Sequence, residues 1–297
     1  MLTRELISNR LIELQGSICA ALENADGKER FIEDNWKREG GGGGKSRIIR
    51  HGNIIEKGGV NFSAVHGVLP ESIRESLKVQ EKVFFAAGIS IVMHPHSPHM
   101  PIMHMNVRYF ELSNGQYWFG GGIDLTPHYV VEEEAKWFHG ELKKTCDRFD
   151  AAYYPKFKAW ADDYFFIPHR NETRGIGGIF FDHLSSESQE GKQKLFDFII
   201  AVGETFAPVY TKLMKQKKDL PFNESQKEWQ LLRRGRYVEF NLIYDKGTRF
   251  GLETSGRTES ILMSLPETAS WYYDFTPTAG SEEEKTLRLL KRGIHWI

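Results

Sequence analysis

At 297 residues, 40% hydrophobic and with a net charge of −1, the chain suits one large domain and is too neutral to work by gripping a phosphate backbone, so no nucleic acid is expected. Its two cysteines, Cys19 and Cys146, lie far apart in sequence, which excludes a disulfide framework and fits a reducing, cytoplasmic setting. No apolar run approaches the roughly 20 residues of a membrane span, and no signal-peptide pattern is expected at the N-terminus.

Ile7, Leu11, Leu14, Ile18 and Leu22 recur at helical spacing and predict an amphipathic helix ending near Asp26-Gly27. Gly40 to Gly44 invite a phosphate-loop reading that fails, because the pattern needs glycine where Glu39 stands. A mobile flap or a tight backbone approach is expected there instead. Arg47–Arg50 and Asn53–Glu56 predict a hairpin about His51-Gly52. Gly88–His94 and Ile102–Leu112 predict strands, and Asn114-Gly115 a two-residue hairpin into Tyr117–Phe119. Helices follow over about 131–150 and 155–164, a strand over Gly177–His183, and a long amphipathic helix over Lys192–Lys217. Arg236–Asp245 alternates like a strand, turned by Lys246-Gly247, and the last helix opens at Ser281 with Glu284 as a capping box. Consecutive hairpins predict a single α+β domain over 1–297 with a mainly antiparallel sheet and helices on its faces.

The chemistry concentrates on histidines. Four of the eleven fall between His94 and His104. Strand side chains alternate, so His104, Asn106 and Arg108 share a face opposite Met103, Met105 and Val107. Ser90 and His94 share a face of the preceding strand, and the two strands would present five polar groups to one cavity. A two-residue turn at Asn114-Gly115 puts Asp124 on the far face from His104, unless Gly120–Gly122 hold a bulge. The segment His169–Gly178 mixes cations with flexible backbone. Near Gly251–Pro266, Ser255-Gly256 offers backbone N–H groups to an anion, and Arg257 adds a planar fork, with Arg236 and Arg249 nearby. Several arginines beside polar cavities in a neutral chain point to an anionic ligand. A metal is the other option, since His94-Pro-His96 resembles the opening of a cupin motif, although Met100 and Pro101 occupy the places of its acidic ligand.

The stretches Gly40–Arg50, Gly59–Gly67, Gly88–Pro95, His104–Phe110, Trp118–Tyr129, His169–Asp182 and Arg233–Pro266 together resemble the oxygen-dependent coproporphyrinogen III oxidase family over most of the chain. The resemblance implies a large flat antiparallel sheet between helices. It also implies a homodimer joined through about 237–271, and conversion of two propionates of coproporphyrinogen III to vinyl groups by dioxygen. Carbon dioxide and hydrogen peroxide are released, and no flavin, haem or NAD is needed. It implies His104 as proton donor and Asp124 as acceptor of pyrrole N–H groups. Ser90, Asn106, Val107, Arg108, Ser255, Gly256 and Arg257 become substrate-binding positions. Bacterial members further imply a divalent, manganese-like metal on His94, His104, His139 and His169, a set that competes with the proton donor for His104. A cupin-like metal-dependent dioxygenase and a non-catalytic tetrapyrrole carrier remain as rivals.

Overall fold

The computed structural model describes residues 2–297 except 72, 73, 76, 77, 254 and 255. Seven strands form the main sheet: β1 (Ile32–Lys37), β2 (Gly42–Arg50), β3 (Ile55–Val68), β4 (Val83–Pro95), β5 (Ile102–Leu112), β6 (Tyr117–Thr126) and β9 (Gly178–Leu184). They run in the order β1-β2-β3-β4-β5-β6-β9, and every pairing is antiparallel. A separate two-stranded ribbon joins β7 (Phe166–Ile167) to β8 (Glu172–Thr173). The described helices are α1 (Arg4–Asp26), α2 (Glu132–Asp147), α3 (Tyr153–Tyr164), α4 (Gln189–Lys217), α5 (Glu224–Ile243), α6 (Lys246–Glu253), α7 (Thr258–Leu262) and α8 (Glu282–Leu289). The architecture is therefore α+β, and no helix is long and apolar enough to cross a membrane.

Alternation along the strands divides the sheet. Ile89, Ile91, Met93, Met103, Met105, Val107 and Tyr109 point to the back, where they join the apolar stripe of α1 and that of α4 in one core. The opposite, front face is covered only in part. Tyr237 of α5 packs on Val92 and Ile102, and Phe240 joins Phe165 and Phe180. Helix α3 wraps the β9 edge, placing Phe157 on Phe181 behind and Tyr164 on Phe180 in front.

Two sequence expectations change, and a third is narrowed to one of its two readings. Arg236–Asp245 is helical, not a strand, because Trp229, Leu232, Arg233, Arg236, Tyr237 and Phe240 recur at spacings of three and four along one buried face. An Asn223 capping box, with Gln226 returning to the cap, starts that helix. The hairpin after β5 has a three-residue loop, not two: Leu112 pairs back to Gln116, and Gly115 takes φ +88°. That one-residue difference pairs His104 with Asp124, so both stand on the front face without any bulge between β5 and β6. Finally, Gly42 to Gly44 belong to β2. A Cβ on Gly42 would lie 2.2 Å from the Ala64 carbonyl oxygen, so the run is a tight backbone approach rather than a flap.

Asp26 ties the end of α1 to the β2–β3 turn. Its carboxylate accepts N–H bonds from Asn53, Ile54 and Ile55 at 2.8–2.9 Å. Burial pushes its pKa up, but these bonds outweigh burial and hold it below the usual value. Stability from such a carboxylate is present above its unfolded pKa and lost as pH falls through the folded one. Asp26→Ala should cost about 1–3 kcal/mol at neutral pH by chemical denaturation, and the gap to the parent protein should narrow as the pH is lowered through the carboxylate range.

Candidate active site

The uncovered part of the front face centres on β4, β5 and β6. Register places Ser90 opposite Asn106, Asn106 opposite Gly122, and Arg108 opposite Gly120. Ser90 is exposed, and His104, Asn106 and Arg108 are half-buried. The glycines on β6 keep side chains off the floor beside them.

Beside this floor, where α5 covers the same face, sits a fully buried charge pair. Asp124, 1% exposed, lies 2.8 Å from His104 Nδ1 and accepts Arg174 Nη2 at 2.7 Å through the same oxygen. Arg174, 2% exposed, also donates to Asn241 Oδ1 at 2.8 Å. Its guanidinium is enclosed by the rings of Phe165, Tyr237 and Phe240, 4.4, 4.7 and 4.6 Å from their centroids. Burial raises the Asp124 carboxyl, but Arg174 and His104 outweigh it and hold it below its usual value. Burial likewise opposes the Arg174 charge, and Asp124 overrides it. An ionised carboxylate can only accept, so His104 carries its proton on Nδ1, toward Asp124. That leaves Nε2 as the atom turned toward Asn106, whose Nδ2 is 3.5 Å away.

The chain delivers Arg174 by passing very close to β6. A Cβ on Gly175 would lie 2.2 Å from the Leu125 carbonyl oxygen, so only glycine lets β8 lead straight into the pocket under His104. Arg174 and Asn241 had no role in the sequence reading. The glycines around His169–Gly178 were the available signal, but the partner Asp124 lies 50 residues earlier.

The structure brings Ser90, His104, Asn106 and Arg108 to one face and separates the other candidates. Val107 points to the back and is fully buried in the core, so its side chain cannot touch a ligand on the front. Asp124 stands beside His104, and its Oδ1 is shared between His104 Nδ1 and Arg174. Gly256 N–H is spent on the Gly251 carbonyl at 2.8 Å, so it is not free for an anion. Ser255 lies outside the described residues. Arg257 pairs with Asp34 and borders a cavity of about 400 Å³ lined by Trp36 to Gly40. Arg236 is engaged by Glu239 at 3.0 Å, and Arg249 pairs with Glu253 at 3.9 Å.

The four histidines of the metal set do not converge. Buried His94, held neutral by burial and by Arg234, donates Nε2–H to the Ser264 carbonyl at 2.8 Å. His139 lies in the back core, bonded to Tyr154 and the Ile176 carbonyl at 3.0 Å each, with burial pushing its pKa down to about 4. His169 is held by Glu239 and Tyr244 at 2.7 Å each. Each ring already has its own partners, and among the described residues no three His, Cys, Asp or Glu side chains gather as a metal set. These residues do not fit a shared divalent ion. The cupin-like pair fails likewise, since β4 ends at Pro95 and His96 turns to the Gly52 carbonyl.

A carboxylate-oriented imidazole beside a fixed guanidinium, on an open sheet face, defines an acid–base site for an anionic ligand. The family model for coproporphyrinogen III oxidase matches residues 6–296, and the chain belongs to that family. It is 49% identical to the oxygen-dependent coproporphyrinogen-III oxidase of Hordeum vulgare, over 99% of this chain and 80% of that protein. The enzyme of the same name from Glycine max is 51% identical, over 96% and 77%. That of Drosophila melanogaster is 46% identical, over 97% and 76%. Both plant relatives carry the label chloroplastic.

Breaking one side of the buried pair should be costly, because it strands the other charge in the interior. Arg174→Gln is expected to lose about 3–5 kcal/mol in a denaturant titration. The double variant Arg174→Gln/Asp124→Asn should recover most of that loss, as it leaves no unpaired charge.

Proposed function

We propose that this chain is an oxidoreductase that oxidatively decarboxylates two propionates of coproporphyrinogen III to vinyl groups with dioxygen, giving protoporphyrinogen IX for haem biosynthesis. The observation that carries the reading is the His104–Asp124 pair at the side of an open floor bearing Arg108, found in a chain about half identical to enzymes of that name. For each propionate, one dioxygen is consumed, the carboxylate leaves as carbon dioxide, and two electrons pass to oxygen as hydrogen peroxide. That balance requires one proton per vinyl group formed.

His104 supplies it. Asp124 fixes the ring through Nδ1, so Nε2 is turned to the floor, where it can hand on a proton taken from solvent. Arg108 holds a propionate as a planar charge-assisted donor, and Ser90 and Asn106 orient the ring system above them. Arg257, at the rim by Trp36, takes a further carboxylate. Since His94, His139 and His169 are engaged elsewhere, no step is routed through a metal. An imidazole oriented by a carboxylate on the open floor favours turnover over mere carriage of a tetrapyrrole. Two free, buried cysteines support a reducing, cytoplasmic setting.

Oxygen uptake coupled to mass spectrometry of the product tests the reading. The parent protein should consume one dioxygen per carbon dioxide lost, in two steps, and His104→Gln should slow turnover by about 10²–10⁴-fold. Tight tetrapyrrole binding without oxygen uptake would favour the carrier.

We also propose a homodimer. Leu242, Ile243, Leu252 and Trp271 are 47%, 49%, 44% and 52% exposed and fall within 237–271. Exposed apolar groups so grouped suit a subunit interface. Since Leu242, Ile243 and Leu252 stand on α5 and α6, the contact is made largely by helix faces, not by strand pairing. In sedimentation, Leu242→Glu/Ile243→Glu should shift the protein from dimer to monomer. A parent protein that sediments as a monomer at micromolar concentration refutes the dimer.

A further inference from the structure

The β6–β9 pairing is irregular opposite Gly120. Phe119 pairs with Leu184 and Gly121 with Phe181, so Asp182 and His183 together face the single residue Gly120, a β-bulge. His183 takes φ +54°, a left-handed conformation uncommon for a residue with a side chain, and its ring stacks on Trp118 at 5.0 Å. The bulge turns the His183 N–H onto Asp182 Oδ1 at 2.9 Å. Asp182 Oδ2 lies 2.8 Å from Arg108 Nη2, while Arg108 Nη1 donates to Asn106 Oδ1 at 2.8 Å. The ion pair thus crosses directly over Gly120. A Cβ there would stand 2.5 Å from Asp182 Oδ1 and 2.9 Å from Arg108 Nε and Nη2.

A bulge, a left-handed residue and a missing side chain meet at one point, and their common result is the placement of a guanidinium. We propose that Asp182 is a positioning residue for substrate capture: anchored by the bulge, it holds Arg108 flat across Gly120, so that the remaining N–H groups of Arg108 meet one propionate of the tetrapyrrole. The inference rests on the functional reading above. Partly exposed ion pairs add little to stability, and this one has side chains 37% and 23% exposed. Its effect therefore belongs to the substrate and not to the fold. Backbone strain kept where it aims a side chain fits the same role.

Gly120→Ala is a direct probe, since the atoms nearest its methyl are side-chain atoms of Asp182 and Arg108, not backbone. In steady-state kinetics on coproporphyrinogen III, Asp182→Ala and Gly120→Ala should each raise KM roughly tenfold while lowering kcat less than about threefold. Combined with Arg108→Ala, neither should add to the loss that Arg108→Ala causes alone, since all three act through one guanidinium. If Asp182→Ala does not fold, Gly120→Ala and its double with Arg108→Ala decide the matter. Parent turnover with unchanged KM in the variants, or losses that add to those of Arg108→Ala, would overturn the role of Asp182. A parent protein with no turnover overturns the functional reading and this inference with it.

Discussion

Asp124 and Arg174 are both withdrawn from water, and the organisation of the front layer follows from keeping them there. Two buried ions lose hydration worth several kcal/mol each, which is recovered only through close mutual contact and further hydrogen bonds. Arg174 finds these in Asp124, Asn241 and three aromatic faces. Two of those rings, Tyr237 and Phe240, and Asn241 itself come from α5, one helical turn apart. Helix α5 therefore crosses the sheet at this point, which leaves Ser90, Asn106 and Arg108 beyond it partly or fully open to solvent. The pair that orients His104 is the same pair that sets where the floor begins.

Much of this was legible in the sequence where local periodicity and burial agree. The stripes of α1 and α4 and the apolar back-facing residues of β4 and β5 all lie in one core, as their spacing predicts. The polar set Ser90, His104, Asn106 and Arg108 follows from the same alternation. Its weak point was Asp124. Register in a hairpin depends on the turn, and Asn-Gly reads as a two-residue loop by composition, whereas Gly115 serves here as the left-handed third residue. One residue in the loop carries a side chain from one face to the other.

What was not legible depends on contacts distant in sequence. Tyr237, Val238, Phe240, Leu242 and Ile243 have strand-like character, and only the sheet beneath them selects the helix. The Asn223–Gln226 cap upstream was the local clue. His94, His139 and His169 look alike as residue types, yet one lies under Tyr237, one in the back core against Trp296, and one at the surface against Tyr244. A count of imidazoles carries no information about which face of the sheet each one reaches.

The near-zero net charge has a local counterpart that bears on how a polyanionic substrate is recognised. Arg108 is matched by Asp182, Arg174 by Asp124, Arg233 by Glu172, Arg236 by Glu239 and Arg257 by Asp34. In the proposed reading a propionate meets a guanidinium that already has a carboxylate partner and shares it, in place of filling a positive hole. Such sharing contributes little raw affinity and much discrimination, because a carboxylate in the wrong place faces an aspartate. Exposure decides which pairs can take part. Arg174 and Arg233 are sealed at 1% and 3%, while Arg108 and Arg257 keep 37% and 31% of their side chains accessible. The two open arginines stand on β5 and beside β1, four strand spacings or roughly 19 Å apart across the sheet, and the proposed reading sets the edge carboxylates of the tetrapyrrole against both.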